Sequence, residues 1–144
     1  MRPVQNAALG GLFMPVSSVL IDISPGELVD KLTILEIKLQ RLPDGSARAN
    51  VRHEYDVLEL ARSKALPSSV ELSRLSGDLK AVNERLWVIE DDIRDCERAK
   101  DFGAKFIELA RAVYRENDTR AALKREINVL LGSVIVEEKS YAKY

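Results

Sequence analysis

Residues 72–96 read LSRLSGDLKAVNERLWVIEDDIRDC, and apolar side chains recur there at alternating steps of three and four: Leu72, Leu75, Leu79, Val82, Leu86, Ile89, Ile93 and Cys96. A 3.5-residue repeat sustained over three heptads keeps one narrow stripe facing a neighbour. The segment is therefore expected to be a long helix that packs along another helix, in the manner of a coiled coil. The stripe sets architecture and names no substrate.

The partner follows directly in the chain. Asp101 and Gly103 mark a corner, after which Phe102, Phe106, Leu109, Val113, Leu123, Ile127 and Leu130 form a second stripe that stops at Gly132. The third helix is expected over about Ser69–Lys100, with Ser68 and Glu71 spaced as a capping box, and the fourth over Phe102–Leu131. Upstream, Val51, Tyr55, Leu58 and Ala61 or Ala65 predict a second helix from about Ala47 to Lys64, ended by Leu66-Pro67.

The clearest local signal is Ser24-Pro25-Gly26-Glu27. Ser24 can cap free amides, Pro25 suits a first helical position where no donor is needed, and Glu27 completes the box. The first helix then runs to about Arg41 with a stripe at Leu28, Leu32, Leu35, Leu39 and Leu42, and breaks at Pro43-Asp44-Gly45. Ile34 and Ile37 lie on roughly the opposite side. A helix apolar on two faces belongs at the centre of a fold.

Val19–Ile23 and Val134–Val136 are short and β-branched, and four antiparallel helices would bring them to one end of the molecule. The expected fold is mainly α: an antiparallel bundle of about four helices with a long hairpin of helices three and four, and a small two-stranded β ribbon where the terminal segments pair. At 1.5 Å per residue, helices three and four span roughly 45 Å against about 25–28 Å for the first two. Half of the hairpin is then uncovered, with Leu86, Trp87 and Ile93 on one helix and Phe106 on the other. Those four residues are the candidate interface of a homodimer. The alternative is that a bent first helix or the N-terminal segment folds over this region and buries Trp87.

At 144 residues one domain is the default, with residues 1–18 a flexible or non-native N-terminal segment and 19–144 the helical domain. Residues 7–14 are apolar, but a single basic residue, adjacent glycines and Pro15 argue against a secretory leader. No stretch reaches the roughly 18 apolar residues of a membrane span. Twenty-two basic and 23 acidic residues, intermixed, give a net charge of −1, which argues against a nucleic-acid footprint. The lone Cys96 sits on an apolar stripe and offers neither a disulfide nor a metal knuckle, as suits a soluble cytoplasmic protein.

One segment interrupts the apolar seam. Glu116-Asn117-Asp118-Thr119-Arg120 places Glu116 and Arg120 at inward positions of the fourth helix, with Lys124 and Asn128 one and two turns further on. Buried polar groups need partners. Either Glu116 and Arg120 pair within the helix and fix register, or Asn117 or Asp118 caps a new helix after a break, or the layer forms a site with the first helix. For a site, the candidate ligand-binding residues are Lys31, Glu36, Lys38, Glu116, Asn117, Arg120 and Lys124, which suit a small carboxylate or phosphate, with Glu36 or Glu116 as general acid or base. If the charge serves register alone, Arg120→Leu is expected to be tolerated. The acidic run Glu90-Asp91-Asp92 with Asp95, taken with Asp56 and Glu59, lacks the spacing of a carboxylate metal site and reads as a solvated face; no metal and no cofactor is expected. His53 has no Ser or Cys partner for a triad, and Gly10-Gly11 lacks a phosphate loop's spacing.

The sequence resembles an uncharacterised family of bacteria, large viruses and phages. The resemblance rests on Ser24-Pro25-Gly26-Glu27-Leu28 with Asp30-Lys31-Leu32-Thr33-Ile34-Leu35-Glu36-Ile37-Lys38, on Leu86-Trp87, on Asp101-Phe102-Gly103, on Asn117-Asp118 with Arg120 and Lys124-Arg125-Glu126-Ile127-Asn128, and on Glu137-Glu138-Lys139-Ser140-Tyr141. It spans about Asp22 to Tyr141. It implies a surface-polysaccharide pathway as a neighbour and no assigned activity. The residues themselves favour a non-catalytic interaction or scaffold homodimer with a protein partner, with no nucleic acid and no membrane. The alternative is an anionic-metabolite-binding protein or enzyme with a polar site between helices one and four.

Overall fold

A computed structural model describes residues 17–144. Four helices follow one another: α1 (Pro25–Arg41), α2 (Ser46–Ala65), α3 (Val70–Ala99) and α4 (Ala104–Leu130). Their ends follow from local chemistry. The Ser24 hydroxyl accepts from the Glu27 amide, and Ser69, rather than Ser68, accepts from Leu72 at the start of α3. Gly132 closes α4 at φ +63°, with Ser133 N–H donating to Asn128 O and Gly132 N–H to Val129 O, the paired bonds of a Schellman turn. The α3–α4 corner turns on Lys100, at φ +55°, rather than on a glycine, and Asp101 Oδ1 accepts from the Gly103 amide.

The first helix is the hub. It packs against each of the other three, α3 and α4 pack along each other, and α2 touches α1 alone. Leu28, Val29, Leu32, Leu35, Ile37 and Leu39 are all buried, which requires neighbours on more than one side. Both apolar faces of α1 are thus used. On one side Val29 joins Leu72, Leu75, Leu79 and Ile127 in the core cluster; α2, which buries no residue fully, lies on α1 as an outer layer.

Interhelical pairs fix direction. Thr33 meets Asn83 and the Arg41 guanidinium lies over the Trp87 ring at 5.8 Å, so α1 runs parallel to α3. Asp30 meets Arg120 and Glu27 meets Lys124, so α1 runs antiparallel to α4. The arrangement is up-down-up-down, and α1 ends at the level of Trp87. That ring is half-buried under Arg41, so the end of the first helix covers it in part.

Beyond Trp87 the hairpin of α3 and α4 continues without α1. Near the hub, Leu72, Leu75, Leu79 and Val82 are at most 6 % exposed; farther out Ile89, Ile93, Phe106 and Leu109 are only half-buried, and Phe102 and Ile107 are exposed. Two helices cannot enclose a seam by themselves. Cys96 is the exception, buried near the corner.

Two expectations change. Among the described residues there is no strand, so the terminal ribbon does not form. Val19, Leu20 and Ile21 are exposed, and the C-terminal segment runs back along α4, where Glu137, Glu138 and Lys139 meet Lys124, Arg125 and Asp118 in turn. An isolated two-stranded ribbon is marginal, whereas α4 offers this tail a matching row of charges. Nor does α4 break at Asn117: it is continuous through the polar layer. The readings of residues 1–16 lie outside the described residues.

Candidate functional site

The polar layer ties three helices together through Asp30. This carboxylate is wholly buried. Arg120 on α4 donates from Nε to both its oxygens, at 2.9 and 3.1 Å, and from Nη2 to Oδ2. Asn83 on α3 donates from Nδ2 to Asp30 Oδ1 and to Thr33 Oγ1, both at 2.9 Å, and the Thr33 hydroxyl donates to the Asp30 carbonyl at 2.8 Å. Both Asp30 carboxylate oxygens and the Thr33 hydroxyl have partners, as burial demands. The hydrogen bonds to Asp30 outweigh burial and hold the Arg120 proton more firmly than usual.

One turn away, Lys124 bridges Glu27 of α1 and Glu137 of the tail, and Lys31 lies 3.6 Å from Glu27. The helices approach closely here: Gly26 N–H donates to Asn128 Oδ1 at 2.7 Å, and a Cβ on Gly26 would run into the Lys124 carbonyl. Burial pushes the Glu27 carboxyl up, but its hydrogen bond to Lys124 and that ammonium's charge prevail and leave it below the usual carboxylate range. Burial likewise lowers Lys124, and its bonds to Glu27 and Glu137 overcome this and raise it.

A lowered carboxyl stabilises the fold above its unfolded pKa, and the contribution disappears as pH falls through the folded one. Glu27→Gln should therefore cost stability near pH 7 and progressively less below pH ~4. Urea midpoints of the two proteins from pH 7 to 3 test this; a gap that stays constant would mean the loss is steric.

The remaining candidates disperse. Lys31 is exposed, Glu36 faces Lys80 at 3.7 Å and Tyr55 on the α2 side, and Lys38 lies in the last turn of α1, away from the layer. Glu116 does not pair with Arg120 within the helix. It faces Arg85 of α3 at 3.1 Å; Oε1 accepts a hydrogen bond, whereas Oε2 lies near the guanidinium with none directed at it. Among the described residues no group of three or more His, Cys, Asp or Glu is placed to hold a metal. Asp56 and Glu59 cannot meet the distal acidic run, because α2 does not touch α3.

Arg120, Lys124 and Asn117 do share a second environment. A groove of about 670 Å³ runs between α4 and the tail, with Asn128 on its floor and Tyr114, Tyr141 and Tyr144 on its walls. A smaller hollow of about 310 Å³ lies where α2 and the start of α3 meet α1, lined by Glu36, Tyr55 and Arg62. Sequence reasoning missed Asn83, Thr33 and the tail. Asn83 gave no signal of its own, because the stripe passes from Val82 to Leu86 and leaves position 83 on its flank; the docking of the tail depends on a register that only three dimensions supply.

The chain belongs to the Family of unknown function (DUF6165), whose model matches residues 19–144. No curated protein and no solved structure matches it. No helix among the described residues is long and apolar enough to cross a membrane.

Proposed function

We propose that this DUF6165 protein is a non-catalytic interaction module that pairs with a second copy of itself through the distal half of the α3–α4 hairpin. The observation that carries the reading is the contrast along one seam: sealed where α1 covers it, open at Ile93, Phe102, Phe106 and Ile107 where nothing does. Large apolar side chains exposed together favour a partner.

A second copy fits the charges. Asp91 and Asp92 on α3, and Lys105, Glu108, Arg111 and Arg115 on α4, a set of net positive charge, have no ion pair among the described residues, whereas Glu90 and Asp95 are taken by Arg94 and Arg98. A two-fold antiparallel pairing sets α3 of each copy against α4 of the other, acidic face to basic face, and completes a local four-helix bundle. The open face is roughly 20 Å long and two helices wide, less than the ~800 Å² per partner of a standard interface, so the dimer is weak and concentration-dependent. The alternative site between α1 and α4 is disfavoured on its α1 side, where Asp30 and Glu27 are already bonded to Arg120 and Lys124.

Sedimentation velocity over about 5 to 500 μM spans the range in which such an interface acts. The weight-average mass should rise towards that of a dimer, and Ile93→Arg should hold it at the monomer value with the helical melt retained. A mass that stays monomeric throughout, or a dimer that survives Ile93→Arg, overturns the reading.

A further inference from the structure

We infer that the groove between α4 and the C-terminal tail is a binding site for a small dianion, a ligand with two adjacent carboxylate or phosphate groups, and that Glu137 and Glu138 occupy it as a tethered stand-in. The site is separate from the hairpin face that pairs the chains and does not depend on it.

The floor is built from one face of α4. Asn117, Arg120, Lys124 and Asn128 follow at steps of three and four and so align along the groove. The last three are held from behind. Arg120 is rooted in the buried Asp30, Lys124 is steadied by Glu27, and Asn128 is pinned through Oδ1 by the Gly26 amide. Asn128 is 3 % exposed and lines the groove. Cationic donors aligned along one groove suit an anionic acceptor. The volume, about 670 Å³, is that of a small-molecule site.

What now fills the acceptor role comes from the tail. Glu137 accepts from Lys124 at 3.0 Å and Glu138 accepts from Arg125 at 3.2 and 3.3 Å, so neighbouring cations hold neighbouring carboxylates. The two glutamates are 49 % and 72 % exposed, unlike Glu27 and Asp30 behind them, which are 24 % and 1 %. The inner pair is structural and the outer pair can be exchanged without disturbing the helices. Lys139 on Asp118, and Tyr144 against the Tyr114 ring, keep the tail near while its carboxylates leave. Such a tether acts as an internal competitor at high effective concentration and weakens any free ligand for the same cations.

The test is calorimetric titration of the full chain with inorganic pyrophosphate and, in parallel, succinate, which separate phosphate from carboxylate recognition. The wild type should bind at least one of them weakly. Glu137→Gln with Glu138→Gln, which keeps tail and fold, should bind the same probe at least tenfold more tightly, and adding Lys124→Met should abolish this gain. Equal affinity in wild type and the double variant, binding that survives Lys124→Met, or no heat with either probe in the double variant each overturns the proposal. Unchanged helical circular dichroism in all three proteins separates loss of the site from loss of the fold.

Discussion

Arg120→Leu should lower the unfolding free energy by about 3–5 kcal/mol, enough to remove much of a small domain's margin. The reason is what it leaves behind. Asp30 is wholly buried, and Arg120 is its only ionic partner among the described residues. Asn83 would still donate one hydrogen bond, but one amide does not offset a carboxylate taken out of water. Tolerance of this change is the expectation for a charge that merely sets register; the burial of Asp30, which the change leaves without its cation, reverses the sign. The pair as a unit is another matter. Asp30→Leu with Arg120→Leu removes both charges, and leucine fits an apolar seam, so the double variant should recover most of the loss. Urea unfolding of the three proteins decides it: a single variant within about 1 kcal/mol of wild type would mean that the buried pair adds nothing.

The same residues show what a one-dimensional reading can reach. The heptads of α3 and the Ser24 cap depend on neighbours within a turn or two, and there sequence and structure agree to within a few residues, although the Glu27 carboxylate turns to Lys124 instead of closing the capping box. The central place of α1 was legible from Ile34 and Ile37 opposite the leucine stripe, because a second apolar face needs a second cover. The length mismatch between α1 and α3 puts α1 beside the C-terminal half of α4, which makes Asp30 one candidate neighbour of Arg120, alongside Lys31, Glu36 and Lys38. It did not reveal that the contact is an ion pair whose carboxylate is wholly buried, since the composition of that turn is equally compatible with a solvated cluster. Glu116 illustrates the limit in the other direction: Arg120 is four residues on and ideal for an intrahelical pair, yet Arg120 turns to α1 and Glu116 to Arg85 of α3. Local spacing proposes partners, and burial chooses among them. The tail was illegible for a related reason. Glu137-Glu138-Lys139 is an ordinary polar run until the Schellman turn at Gly132 sends it back along Asp118, Lys124 and Arg125.

Two helical glycines should respond to alanine with opposite signs, and the contrast tests the α1–α4 junction on which both the buried pair and the groove depend. At Gly77 in α3 an added Cβ meets nothing within 4 Å, so Gly77→Ala should stabilise by about 0.5–1 kcal/mol through helix propensity and a less flexible unfolded chain. Gly26 also gains propensity in principle, but its Cβ would fall far inside contact of the Lys124 carbonyl and 2.9 Å from Asn128 Oδ1. The carbonyl is backbone of α4 and cannot rotate away as a side chain would. Relief requires the helices to part, which stretches the 2.7 Å bond from Gly26 N–H to Asn128. Overpacking of about 1–3 kcal/mol, together with about 1 kcal/mol for that hydrogen bond, sets the expected loss. Separation of α1 from α4 also draws Asp30 away from Arg120, so Gly26→Ala and Arg120→Leu should be less than additive: the second change finds part of the pair already undone. Thermal or urea unfolding of Gly26→Ala, Gly77→Ala and the Gly26→Ala/Arg120→Leu combination measures all three quantities. Stabilisation at both glycines would show that α1 and α4 do not approach this closely, while full additivity would show that the glycine contact and the ion pair act independently.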